Sequence, residues 1–306
     1  MRSGFECTRA IVRRLFELGL VSGCLMGCGR PPTSQFPSAQ SALNRMRTSQ
    51  SCSRGIQSEA KIDYFAGSER VRGQAAILTS LPDRIRIEAF SSFGVAVSTL
   101  TSDGSQFELY DLRQRTFMVG PAEPCNMARF THVPLPAFAL VQLLRGEAPV
   151  IVHSASAATL SWKSSWFGTG AYVVDIAGQN ESHERIRLVP HPDDFSLPFD
   201  QQRIRVLDVT VDQQGIELYR VELDDYARAV TSGARLDPDG LDPPIPPSGP
   251  PCSAEIPRSV RLTIPDGQSD VVLHLHRVFH NPPLIPGVFR QNQPAGVRRS
   301  RATCGN

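Results

Sequence analysis

"PDRIRIEAFSSFGVAVSTLTSDG", residues 82–104, decides the fold class. Ile85, Ile87 and Ala89 alternate with Arg84, Arg86 and Glu88, the period-2 pattern of a strand with one apolar and one charged face. A loop around Phe93 follows, then "VAVSTLTS", and Asp103-Gly104 suits a tight primed turn into "QFELYDL". Strands joined this closely predict an antiparallel sheet, and its apolar face needs a cover.

The same texture extends in both directions. "KIDYFAGSERVRGQAAILTS" reads as strand, Gly67 turn, strand, and "RTFMVG" adds another. Downstream come "PVIVHSA", "AATLSW", "AYVVDIAG", "ERIRLVP", then "RIRVLDVTV" with "GIELYRVEL", and "RSVRLTIP" with "SDVVLHLHRV" around Asp266-Gly267. The count is about a dozen strands. One segment breaks the pattern: "VPLPAFALVQLLRG", with Pro136 placed to open a helix and Gly146 to close it. That helix is apolar almost all round, so it must be covered on most sides, as a helix lying across a curved sheet would be. "SALNRMRTSQ" predicts a short helix with Leu43 and Met46 on one face. "RLDPDGLDPPIPPSGPPC" is a proline-rich loop without core potential.

At the N-terminus Arg2, Arg9, Arg13 and Arg14 precede an apolar run that ends near Gly27. The run is shorter than the roughly 20 residues a membrane span requires, and its flanks are those of a secretory signal. "VSGC" and "LMGC", ending in Cys24 and Cys28, both resemble the lipobox of bacterial lipoproteins. That resemblance implies cleavage before a lipid-bearing cysteine. Cys28 leaves the longer apolar core before it and is the expected attachment residue, with Cys24 as the alternative. No aspartate follows either one, so the outer membrane is the expected destination. The expected organisation is a signal peptide over 1–27, a solvated tether and short helix over 28–51, one domain over 52–285 with the proline-rich loop at 236–257, and a tail over 286–306. The tail's arginines read as solvated. No cofactor is expected beyond the covalent lipid.

Acids and bases are interspersed and nearly balanced, 30 against 32, so nothing points to nucleic acid. Four cysteines remain once Cys7, Cys24 and Cys28 are set aside: Cys52, Cys125, Cys252 and Cys304. An even number in an exported chain predicts two disulfides, and their spacing is not that of a zinc site. The expected pairs are Cys52–Cys125 and Cys252–Cys304, each bracketing a block of strands, the second pinning the tail. G-x-S-x-G, H-E-x-x-H and phosphate-loop motifs are missing, so no enzyme is predicted. His274 and His276 share a strand face opposite Leu273 and Leu275 and read as solvent-facing.

Three stretches, in order, resemble the LolA/LolB family of lipoprotein carriers, LolB more than LolA: "PDRIRIEAFSSFGVAVSTLTSDG", "FTHVPLPAFALVQLLRGEAP" and "IPRSVRLTIPDGQSDVVLHLHRV". The chain departs from the family in its greater length and its four extra cysteines. The resemblance implies a mainly β protein, an unclosed antiparallel β-barrel (half-barrel) with a helical lid over a hydrophobic cavity. It further implies acylated lipoproteins as cargo, a LolA-like periplasmic chaperone as donor, and the outer-membrane bilayer as acceptor. Candidate cavity-lining residues are Ile85, Ile87, Val97, Leu109, Phe117, Phe138, Leu140, Leu144 and Trp162. Phe93 stands where LolB carries a protruding apolar residue that helps hand cargo to the membrane.

Overall fold

The computed structural model describes residues 30–304 except 67–68, 92, 132–134, 165–169, 266 and 268. The signal peptide, Cys24 and Cys28 lie outside the described residues, as do Gly67 and Asp266. The strands are β1 (Ile56–Ala66), β2 (Glu69–Ser80), β3 (Arg84–Phe90), β4 (Ala96–Ser102), β5 (Gln106–Asp111) and β6 (Thr116–Pro121). After two helices come β7 (Ala158–Lys163), β8 (Ala171–Ala177), β9 (Ser182–Pro190), β10 (Ile204–Gln213) and β11 (Ile216–Arg228). The set closes with β12 (Val230–Thr231), β13 (Glu255–Ile264), β14 (Ser269–His280) and β15 (Arg298–Arg301).

All belong to one sheet in the order β15-β6-β5-β4-β3-β2-β1-β14-β13-β11-β10-β9-β8-β7, with β12 added beside β14. Pairing is antiparallel throughout except β15 on β6 and β12 on β14. Among the described residues no ladder joins β7 to β15, so the sheet curls without closing. Gly104 takes φ +97 as first central residue of the β4–β5 turn, a glycine position in II′ hairpins.

Three helices cover the concave face. α1 (Ala39–Ser49) is opened by a capping box between Ser38 and Ser41 and buries Ala39, Ala42, Leu43 and Met46 against β7 and β10. α2 (Pro124–Thr131), which the sequence did not reveal, buries Met127 and packs on β5. α3 (Ala137–Leu144) lies across β3 and β13. It ends in a Schellman arrangement: Gly146 N–H bonds Leu143 C=O at 2.9 Å and Glu147 N–H bonds Gln142 C=O at 3.0 Å. Gly146 holds φ +80, and a Cβ there would stand 3.0 Å from Pro257, so only glycine suits the site.

Several expectations are corrected. The disulfides are Cys52–Cys252 and Cys125–Cys304, not Cys52–Cys125 and Cys252–Cys304. Pairing follows spatial neighbours: β1 and the stretch before β13 meet at one end of the sheet, while the tail returns beside β6. The tail is not loose, although Arg298, Arg299 and Arg301 are exposed as expected. Gln291 donates to the Thr99 and Glu108 carbonyls, and Arg298–Arg301 pairs with β6 as β15. The tether is shorter than expected, since Phe36 is buried against Tyr172 and Phe199 and Thr33 bonds Phe195. "PVIVHSA" forms no strand; Ile151 N–H is taken instead by the Glu184 carboxylate at 2.9 Å. The proline-rich loop ends earlier, because Glu255–Pro257 already belong to β13.

Candidate functional site

The strand order gives the half-barrel two unlike ends. The β1–β2, β3–β4, β5–β6, β8–β9, β10–β11 and β13–β14 turns share one end; the chain entry at 33–36, the 191–203 connection and the Cys52–Cys252 disulfide share the other. Beneath α3 is a cavity of about 100 Å3 between the helix and the middle of the sheet. Leu140, Leu143 and Leu144 form its roof, and Ile62, Tyr64, Ile77, Ile85, Ile87, Val221, Val260, Leu262, Val271 and Leu273 its floor. The six neighbouring strands β3, β2, β1, β14, β13 and β11 supply the floor, because period-2 alternation turns one set of side chains from each inward. Towards the turn-rich end the floor continues into Tyr64 and Val71, which face each other across the β1–β2 ladder; Val71 is 57% exposed.

Four of the nine candidate lining residues thus meet around the cavity: Ile85, Ile87, Leu140 and Leu144. The other five do not line it. Leu109 packs in the core farther along the sheet. Val97 and Phe117 fall on the outer face, since the ladder puts Leu100, Leu109 and Met118 inward together. Phe138 is 45% exposed on the far side of α3. Trp162 sits on β7, its ring 4.9 Å from that of Tyr172 in an edge-on contact. Sequence reasoning missed nine lining residues, among them Ile62, Val260 and Leu273; each was recoverable from alternation along its strand. Phe93 projects from the β3–β4 turn and is 92% exposed. Val95, Leu112 and Ile216 are also exposed on turns or strand ends at this rim.

A buried polar spot lies farther round the wall. Glu184 on β9 is 1% exposed; one carboxylate oxygen accepts from Ile151 N–H and the other has no partner among the described residues. Burial pushes its pKa up to about 8. Tyr219 is also pushed up, by burial first and then by Glu184. A carboxyl with its folded value above the unfolded value of about 4.3 takes up a proton on folding. Its stabilising contribution is therefore complete below about pH 4.3 and is lost as pH rises through 8. Glu184→Gln should leave Tm unchanged near pH 4 and raise it by several degrees at pH 9; thermal scans across that range that stay parallel for the two proteins would rule this out.

Neither a protein-family model nor a curated protein matches the sequence. Solved structures do match the fold. A DUF1329 family protein from Desulfovibrio piger overlays with TM-score 0.53 at 9% identity, covering 82% of this chain and 96% of that one. A LolA superfamily protein from Nitrosomonas europaea overlays with TM-score 0.50 at 10% identity, covering 84% and 99%. The chain shares the backbone fold of these two proteins. At these identities the overlay concerns the backbone; the cavity's chemistry is read from this chain's own side chains.

Proposed function

We propose that the protein is a LolB-like carrier, lipid-anchored in the outer membrane through Cys28, or through Cys24 as the alternative. It accepts acylated lipoproteins from a LolA-like periplasmic chaperone and passes them into the bilayer. The observation that carries this reading is the apolar cavity held between a single short helix and the centre of the sheet. Its size supports a moving lid. About 100 Å3 is well below the roughly 300–1,000 Å3 of a ligand pocket, so acyl entry requires α3 to rise from β3 and β13. Transfer needs no covalent step: acyl chains move from donor to cavity to bilayer down a gradient of apolar burial.

Phe93 gives the rim an apolar point of contact. A phenyl ring buries about 150–250 Å2, worth about 4–6 kcal/mol at about 25 cal/mol per Å2, which suits a transient touch on a lipid surface. Mixing a Cys28→Ala soluble form with a lipoprotein-loaded LolA-type donor should move the cargo onto this protein. Phe93→Glu should still accept cargo but release at least tenfold less of it to liposomes. Cargo that stays on a competent donor would sink the receptor reading.

One observation favours a second reading. The cavity is small in its closed state, as expected of a lipid-binding or envelope-interaction lipoprotein that kept the fold without transfer activity. Such a protein would ignore Phe93→Glu and carry no extractable acyl ligand.

A further inference from the structure

β2 is longer than its neighbour. Its pairing with β3 begins only at Gln74, opposite Phe90, while β1 pairs with it back to Glu69. Beyond Phe90 the chain turns away through the Phe93 loop, closed by Ser91 N–H to Val95 C=O at 2.9 Å. Among the described residues nothing pairs with the outer edge of β2 from Glu69 to Gly73. The direction of its backbone groups follows from the ladder. Leu81 N–H bonds Arg54 C=O at 2.8 Å in the same register that pairs Gln57 with Leu78. Odd-numbered β2 residues therefore bond β1, and Arg70 and Arg72 turn their N–H and C=O groups to the open edge. Their guanidinium groups are engaged elsewhere, on Asp63 of β1. At Gly73 a Cβ would meet nothing within 4 Å, so the inner face of the sheet is open beside this edge.

This edge adjoins the cavity. Ile62 and Tyr64, which line it, lie directly across the ladder from Gly73 and Val71. One strand spacing, about 4.8 Å, separates the acyl site from the edge. An unpaired strand edge is a template for an extended peptide, bonding its main chain without regard to sequence.

We propose that the Glu69–Gly73 edge of β2 binds the extended polypeptide segment next to the acylated residue of the cargo, adding it as a strand beside the cavity mouth. This rests on the carrier reading above. It explains how one site would take many acylated proteins: lipid in the cavity, backbone on the edge, side chains unread.

The test compares two probes, an S-palmitoylated cysteine amide and a short peptide beginning with the same residue. Arg72→Pro removes an outward N–H while keeping every bond to β1, and proline is tolerated on strand edges. It should weaken the acyl-peptide about tenfold, the loss of one backbone hydrogen bond and its local register, and leave the acyl amide unchanged. Arg72→Ala should affect neither probe. Equal affinity of Arg72→Pro and the unaltered protein for the acyl-peptide overturns the proposal, as does equal weakening by Arg72→Ala. Hydrogen exchange on the unaltered protein checks the result without a substitution: the Arg70 and Arg72 amides should slow with the acyl-peptide and not with the acyl amide, and unchanged exchange counts against the edge. If the unaltered protein binds neither probe, the carrier reading itself fails and takes this one with it.

Discussion

Val260→Phe is expected to weaken the acyl binding proposed above about 100-fold while leaving the protein as stable as before. Val260 is buried on β13, under α3, and its side chain forms part of the cavity floor. A phenyl ring would occupy much of the 100 Å3 now empty. Filling that volume is worth up to about 2 kcal/mol at about 24 cal/mol per Å3, and the strain of a larger core residue offsets about 1–3 kcal/mol. The two nearly cancel for folding and act together against a ligand. Affinity for a fluorescent fatty acyl probe should fall about 100-fold or more, equal to about 2.7 kcal/mol, with Tm within a few degrees of its starting value. Undiminished binding would place the acyl chain somewhere other than beneath α3.

Arg145→Ala should be the most destabilising single change near the lid. Arg145 caps α3 and is 2% exposed; its guanidinium donates to Glu147 at 3.2 Å and to the Gln50 carbonyl at 2.9 Å, tying the lid to the end of α1. Burial is the leading influence on both partners, lowering the Arg145 pKa and raising that of Glu147, against their mutual attraction. Removing the cation leaves Glu147 buried and uncompensated, which costs about 3–5 kcal/mol, a Tm loss on the order of 10 °C for a domain of this size. Replacing both with apolar residues, Arg145→Met with Glu147→Leu, should recover most of the loss. Urea unfolding of the three variants measures this directly; a single-variant cost below about 1 kcal/mol would show that the pair does not hold the lid.

The fold was readable because its signals are local. Ile85 and Ile87 alternate with arginines, and that alone marks a one-sided strand; Pro136 and Gly146 bracket the lid helix in the same way. α2 escaped because "PCNMARFT" is only eight residues, about two turns, too short to show a helical period. β15 escaped because "RRSR" has no apolar pattern at all; it pairs through backbone bonds to an edge that β6 happened to leave open.

What the sequence determined by itself was the class of the fold: half-buried strands with one apolar helix to cover them. Which residues share a face was a tertiary decision. A strand's alternation names two sets, but only the ladder Leu100–Leu109–Met118 shows that Val97 and Phe117 belong outside. Cysteine pairing was tertiary as well, since Cys52 and Cys252 are 200 residues apart and meet only because β14, paired with both β1 and β13, brings the starts of those two strands to one end of the sheet. The cavity and the bare edge of β2 belong to the same category. Both are gaps, set by where a helix and a neighbouring strand stop, and the physical reason is that an empty space has no residue to encode it.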